Sequence, residues 1–475
     1  MDDLLILRFK VINIKVKRLN STKVVENIDR YFIEFWHLEG QPHDHYYTTA
    51  HAILMLAHNF PYNEVDFRGT RKVIDLNRRT LNCAGIWPER IHEPVFIFFS
   101  IYLAVHCTMG VVSITDNMSD MEYIIGCIEE NIFNFMTLMK ICICRMKSNS
   151  LAKFLKEIKV DLIPERYKTD EEKIAFLNYN NFSVKLVKVT IVSCVIAATL
   201  YYLSLLAPNV EMVVANSSYG YILPYKSRPL IEPTNLTIYI CLCLYQFLIV
   251  LIIIFGYVGT DCLFISLVLH VSGLFSALSC KVKHVLENPE NRKRRIKKLI
   301  LRHIRLVRLA DSLESYFNIL ILQQLLGSTL HLCLLGYDAL VCISAGEETK
   351  LIAFVIIAGC VLSTLMAYCY IGECLINEST SFGESFYHCK WYNISQEEIK
   401  LIHICMVRSS KQMELTVGKF FALSLTTFTD VNQTIRDRGR LSTSRKINRD
   451  RWCMAIEKKL RSISLFIDLP ENSNA

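Results

Sequence analysis

Three histidines, His43, His45 and His51, lie close together in HDHYYTTAH, and imidazoles so placed have the chemistry to hold a zinc ion. Only Asp44 adds a further donor and no cysteine completes a known ligand spacing, so no metal site is expected there. The chain has 18 cysteines. Most, such as Cys142 with Cys144 and Cys241 with Cys243, stand inside apolar runs, where a thiol behaves as a small hydrophobe. Glu129 and Glu130 also interrupt an apolar run, and ionised side chains are costly in such a place. They read either as the polar end of a pocket or water-filled cavity, or as groups paired with polar neighbours on a tilted helix. Nothing resembles a nucleophile elbow, a phosphate loop or a catalytic carboxylate pair. An enzyme is therefore excluded, and no cofactor is expected.

The elements that carry these residues follow from composition. A chain of 475 residues, 52% hydrophobic, with a mean hydropathy of +0.28, is too apolar for an ordinary soluble multidomain protein. Long apolar runs lie at Val95 to Thr115, Met121 to Cys144, Leu186 to Leu206, Leu236 to Val258, Tyr316 to Cys342 and Leu351 to Leu375. Each is near the roughly 20 residues a spanning helix needs. The second run is the weakest, because Glu129, Glu130 and Asn131 fall within it.

Orientation follows from Lys and Arg. The linker after the second run carries Arg145, Lys147, Lys153, Lys156, Lys159, Arg166, Lys168 and Lys173, and the linker after the fourth carries RKRRIKK at Arg292 to Lys298. These belong in the cytosol, and the basic-poor linkers DNMSDM and SAGEETK belong outside. MDDLLILRFKVINIKVKRLN lacks the pattern of a cleaved signal peptide, so a cytosolic amino terminus is expected. Sequons at Asn117, Asn216 and Asn235 fall on the outer side, with Asn216 the favoured glycosylation site. Others, at Asn20, Asn181, Asn377, Asn393 and Asn432, fall on the inner side or in the tail, so the sequons support the orientation only weakly.

Four strings resemble the insect odorant receptor family in their order on this inverted topology. They are DLNRRTLNCAGIWPE from Asp75, GTDCLFISLVLHVSGLFSALSCKVKHV from Gly259, ILRHIRLVRLADSLESYFNILILQQLLGS from Ile300, and STSFGESFYHCKWYN with GKFFALSLTTFTDV near the carboxyl end. The resemblance implies an all-α, polytopic membrane bundle of seven helices with a cytosolic helical anchor region, spanning 259–315 and 377–411, where Tyr387, Trp391 and Met406 would be buried. Residues 75–431 would form this bundle, with an atypical extension at 1–74 and an atypical basic tail at 432–475. A faulty gene model or a retained intron is the favoured reading of both departures.

Function is implied in the same way: a tuning subunit of a ligand-gated cation channel that binds a small volatile odorant. It would act with a shared co-receptor in a heterotetramer, in the plasma membrane of olfactory sensory neurons. The implied pocket lies in the outer halves of the second, third, fourth and sixth helices, at Tyr123, Cys127, Ala198, Tyr201, Tyr202, Tyr239, Tyr245, Phe247, Phe354 and Ile357, where aromatic walls suit apolar volatiles. The bland reading of the same residues is interfacial belt or bundle core. Asp261 reads as a hydrogen-bonding residue at the inner boundary, Asp338 and Glu373 as interfacial, and His303 as structural.

Leu423, Thr426 and Phe428 would stand near the pore on the seventh helix. The apolar run from Gly418 to Val431, 14 residues, makes only about 21 Å of helix against a hydrocarbon core of about 30 Å. The stretch after Val431, NQTIRDRGRLSTSRKINRDRW, is polar and basic, so the expectation is six transmembrane helices and an incomplete seventh. Alternatives are a gustatory receptor of the same superfamily, a nonconducting isoform or pseudogene product, and a secondary transporter, whose inverted repeats and broken midplane helices are not found.

Overall fold

A computed structural model describes residues 66–425, except 216–220, 230, 288–290, 346–347 and 390–393. All described residues belong to the unit Met1–Thr427. Its helices are α1 Lys72–Cys83, α2 Glu93–Asp116, α3 Met121–Met146, α4 Ser148–Lys159, α5 Asp170–Ala215, α6 Leu236–Ile253, α7 Gly259–Glu287, α8 Arg292–Ala345, α9 Glu348–Ser385 and α10 Gln396–Ser409. A π-helical turn, Ile254–Val258, joins α6 to α7.

Local sequence explains where several of these helices start. Pro94 stands in the first turn of α2, where a missing N–H costs nothing. Three acids, Asp170, Glu171 and Glu172, open α5 at the positive end of its dipole. Ser395 and Glu398 form a reciprocal capping box at the start of α10. α4 buries Leu151, Phe154, Leu155 and Ile158, one stripe at helical spacing.

α7 is the central post, packed against α5, α9, α8 and α1. Its residues from Cys262 to Leu269 are buried almost all round, which is why its sequence reads as a continuous apolar run rather than a stripe. The Asp75 to Glu89 string folds as α1 and a turn that buries Trp87, and Asn77 donates a 2.6 Å hydrogen bond to Ser266 Oγ of α7.

Five described segments are long and apolar enough to cross a membrane: Glu93–Asp116, Asp170–Ala207, Leu236–Val285, Arg292–Ala339 and Phe354–Ser385. The run expected as a second crossing is the 26-residue α3. Glu129, Glu130 and Lys140 keep it outside that set by composition. α5 and α8, with 46 and 54 residues, are about 69 and 81 Å long, more than twice the hydrocarbon core. Their surplus turns build the region below the bundle. The RKRRIKK block opens α8, 18 residues before Tyr316, and so stands about 27 Å along the helix from the apolar part.

A clasp in this lower region joins the 160–167 linker to α8. Arg305 donates to both carboxylate oxygens of Asp161 at 2.8 Å, and Arg166 approaches one of them at 2.8 Å. Burial alone would raise the Asp161 carboxyl. His270, whose Nε2 is 3.8 Å away, and the closer Arg305 fork hold it instead at about 2. His303 packs against Phe382 with ring centroids 4.5 Å apart, and burial, with the nearby charge of Arg408, pushes its imidazole down to about 4. It is a neutral core residue, as its surroundings predict. Of the three anchor residues expected to be buried, Tyr387 is 65% exposed, Met406 is half-buried, and Trp391 lies outside the described residues. Phe382 and Phe386 are four apart and buried on one side of the chain, and Tyr387, one residue further in the turn after α9, points away from that side.

The carboxyl-terminal run departs from expectation at its start. Thr416–Val417 (β1) and Phe421–Ala422 (β2) pair antiparallel, with Thr416 opposite Ala422 and Val417 opposite Phe421. Between them Gly418 and Lys419 have φ of 57° and 67°, and Phe420 N–H donates to Val417 C=O at 3.0 Å. Two positive φ values in succession belong to a hairpin turn and break a right-handed helix. Helix therefore does not run from Gly418; helical backbone resumes only at Leu425, the last described residue.

Candidate functional site

The upper part of the bundle gathers aromatic and acidic side chains from four elements. Tyr202, Val250 and Ile254 are buried together with Tyr225, and Val195, Ala198, Tyr201, Leu205, Leu206, Phe247 and Phe255 pack around them. The Tyr202 ring lies 5.4 Å from Phe247 and 5.8 Å from Tyr225, close enough for tilted aromatic contacts. Tyr202 OH donates to Cys243 C=O at 2.7 Å, which satisfies its polar tip within the apolar wall.

The polar end comes from α3. Glu129 is buried and accepts a 3.4 Å hydrogen bond from Tyr201 OH, and Asp338 of α8 stands within hydrogen-bonding reach of it. Glu130 Oε2 accepts from Lys226 N–H at 2.5 Å, and Cys127 Sγ donates to Lys226 C=O at 2.8 Å. Tyr123 and Ser113 hydroxyls share a 2.7 Å hydrogen bond one turn higher. His331 on α8 is buried beside Phe133, with ring centroids 4.6 Å apart, and neither ring nitrogen has a hydrogen-bond partner. A buried imidazole without partners costs free energy that a hydrogen-bonding guest would recover.

The expected residues do not all converge. Ala198, Tyr201, Tyr202 and Phe247 share the cluster, and Tyr123 and Cys127 line α3 above Glu129 and Glu130. Tyr245 turns the other way: its ring is 4.8 Å from Tyr102 of α2, and its hydroxyl is 3.8 Å from Met109 Sδ. Residues two apart on a helix point about 200° apart, so Tyr245 and Phe247 cannot face one pocket. Tyr239 is buried against Tyr221, 5.4 Å between centroids. Phe354 and Ile357 are buried on α9. Asn216, Thr426 and Phe428 lie outside the described residues. Leu423 is buried, but just after the hairpin's closing strand β2, where its N–H donates to Leu415 C=O at 2.7 Å.

Sequence reasoning missed the linker 221–229, which folds into the bundle top. Gln246 holds it there, accepting from Tyr225 N–H at 3.0 Å and donating to Tyr225 C=O at 3.3 Å. The available signal was Gln246 itself, a lone amide in the apolar string CLCLYQFLIV that must find partners when buried.

Below this site a second polar group ties four helices together. Lys140 of α3 forms an ion pair with Asp261 of α7 and donates to Gln324 Oε1 of α8 at 2.7 Å. Tyr368 OH of α9 donates to Asp261 at 2.6 Å, and Tyr257 OH donates to Gln324 at 2.7 Å. Asp261 thus has the hydrogen-bonding role expected of it. Five residues on from Tyr368, Glu373 accepts from Leu425 N–H at 3.4 Å. Gly372 admits the hairpin, since a Cβ there would fall 2.3 Å from Leu423 O. No group of three or more His, Cys, Asp or Glu able to hold a metal occurs among the described residues.

Known proteins share both fold and sequence with this chain. The odorant receptor coreceptor of Drosophila melanogaster is 32% identical over 138 residues, covering 29% of this chain and 28% of that protein. Odorant receptor 13a of Drosophila melanogaster is 25% identical over 178 residues, covering 34% of this chain and 40% of that protein. The matched segments thus span less than half the length of these relatives. The insect olfactory receptor OR5 from Machilis hrabei superposes with a TM-score of 0.68 over 80% of this chain and 99% of its own, at 12% identity, and its structure in complex with eugenol gives 0.67. That likeness is one of fold: an all-α, multi-pass membrane bundle. Residues 131–435 match the family described as 7tm odorant receptor, and the chain belongs to that family.

Proposed function

We propose that this chain is a tuning subunit of a ligand-gated cation channel, binding a small volatile ligand among the side chains of the upper cluster and acting with a coreceptor subunit in a heterotetramer of the olfactory neuron's plasma membrane. The observation that carries the reading is the upper cluster, in which packed aromatic side chains (Tyr202, Tyr225, Phe247) meet a polar end (Tyr201 with Glu129). Such a lining buries the apolar body of a small ligand and hydrogen-bonds one oxygen-bearing group. His331, with both ring nitrogens unpartnered, favours a ligand of this class. The relative solved in complex with eugenol binds a molecule of that kind.

In this mechanism α3 is the second crossing. Its carboxylates face the bundle, as ionisable residues in a span must. Ligand contact near Glu129 bears on α3, and the Lys140 group passes a shift of α3 to α7, α8 and α9. α9 in turn holds the hairpin and Leu425 through Gly372 and Glu373. Coupling of this sort needs an element with two discrete arrangements, and the start of the seventh helix is that element here.

The corrected start at Leu425 sharpens the incomplete seventh crossing. Only LTTFTDV, 425–431, precedes NQTIRDRGR, seven residues that would reach about 10 Å as a helix against about 30 Å of hydrocarbon. Arg436, Arg438, Arg440, Arg445, Lys446, Arg449 and Arg451 favour retention in the cytosol. This favours a second reading, a subunit that binds ligand without contributing its share of the pore. Co-expression with an insect coreceptor separates the two. Odorant-evoked current is expected to be larger when residues 432–475 are replaced by the remainder of a full seventh helix. Equal currents from both chains refute the incomplete crossing, and no current from either, with both at the cell surface, refutes the channel subunit.

A further inference from the structure

Two thiols that the proposed gating does not use lie in contact between α5 and α9: Cys194 Sγ and Cys360 Sγ are 3.6 Å apart. Their meeting follows from the register of the whole helix pair. Tyr179 OH donates to Glu378 at 2.8 Å, and Phe182 packs edge-on against Tyr370 at 5.9 Å. Residue numbers rise along α5 as they fall along α9, and the same antiparallel seam extended outward brings Cys194 to Cys360. Both thiols are half-buried, and the exposed Ile356 stands one turn from Cys360 on the same face of α9. One turn further out, Ala198 and Ile357 are residues of the candidate ligand site.

We propose that Cys194 and Cys360 form an oxidation site, closed by a membrane-permeant peroxide into a disulfide that ties α5 to α9 directly beneath the ligand site. The steps balance. Peroxide oxygen transfers to one thiol, giving a sulfenic acid and one water (RSH + HOOH → RSOH + H2O). The second thiol attacks that sulfur and releases the second water (RSOH + R′SH → RSSR′ + H2O). Closure requires the sulfurs to approach from 3.6 Å to about 2.05 Å, a shift of about 1.5 Å shared between two side chains. Dithiol reductants reverse the bond by exchange. Of the other half-buried thiols, Cys107 and Cys142 stand on α2 and α3, away from this seam, and serve as internal references.

Differential alkylation tests the site independently of any current. Membranes containing the full chain with a coreceptor are treated with hydrogen peroxide, blocked with N-ethylmaleimide and analysed by peptide mass spectrometry. Cys194 and Cys360 are expected to lose labelling together, to yield one cross-linked peptide pair, and to regain labelling after dithiothreitol, while Cys107 and Cys142 keep theirs. In Cys194→Ser, Cys360 is expected to yield no cross-linked peptide. The proposal is overturned if both cysteines stay as fully labelled as Cys107, or if they are oxidised singly with no cross-link in the native chain. A failed current assay would leave this result standing, so the two readings fall separately.

Discussion

Lys140→Met tests the buried polar group beneath the candidate ligand site. Lys140 and Asp261 are 1% and 3% exposed, so water and salt screen their attraction little. Lys140 also donates to Gln324, and its ammonium sits 3.4 Å from the centre of the Tyr257 ring. Removing it leaves the Asp261 carboxylate buried with the Tyr368 hydroxyl as its remaining hydrogen bond. Breaking a buried pair from one side costs about 3–5 kcal/mol, most of it the penalty of the stranded charge. Lys140→Met with Asp261→Asn removes both charges and keeps an acceptor for Tyr368, so most of that loss is expected to return. The assay is thermal melting of the detergent-solubilised complex, read by size-exclusion chromatography, for the two single variants and the double. A Lys140→Met chain as stable as the native one, or a double variant weaker than both singles together, refutes the reasoning.

Three other outcomes rest on contacts of the same kind. Asp161→Asn is expected to destabilise the lower region by about 2–3 kcal/mol, since its carboxyl is held at about 2 against about 3.9 in an unfolded chain. Because that pKa is depressed, the contribution is complete above about pH 4 and fades only as pH falls toward 2, so melting should show the deficit undiminished from pH 5 to 8; a deficit that vanishes in this range contradicts the assignment. Gly372→Ala forces a methyl against Leu423 O, 2.3 Å away, and is expected to cost about 1–3 kcal/mol and to speed amide hydrogen exchange across 415–425; unchanged exchange there rules the contact out. Tyr201→Phe removes the hydrogen bond to Glu129 and is expected to weaken responses to oxygen-bearing volatiles about tenfold while sparing hydrocarbons; equal loss for both classes contradicts a polar end at Glu129.

The long apolar runs were legible because hydrophobic length is a local property. Each of the six long apolar runs proved to be helical, and the buried Glu129 did find a hydrogen-bond partner, Tyr201, as a buried carboxylate must. The misplaced features depend on geometry that composition does not carry. Gly418 and Lys419 sit in a string of apolar residues that reads as helix, yet their positive φ values turn the chain. Tyr245 and Phe247 are equally aromatic, and only helical phase sends them to different neighbours. The Lys140 and Asp261 pair spans 121 residues, a pairing no local pattern announces. Tyr225 and Lys226 belong to a linker whose inward fold depends on a single amide, Gln246.

Odorant-evoked current tests most directly whether this chain confers ligand selectivity on a channel. Cells expressing a coreceptor alone, or with this chain carrying a completed seventh helix, are challenged with one panel of small volatiles. Currents to a subset of the panel are expected only when the chain is present, and Tyr202→Ala, at the centre of the aromatic wall, should abolish or re-rank them. A response profile identical to that of the coreceptor alone, with the chain detected at the cell surface, would contradict the proposed function.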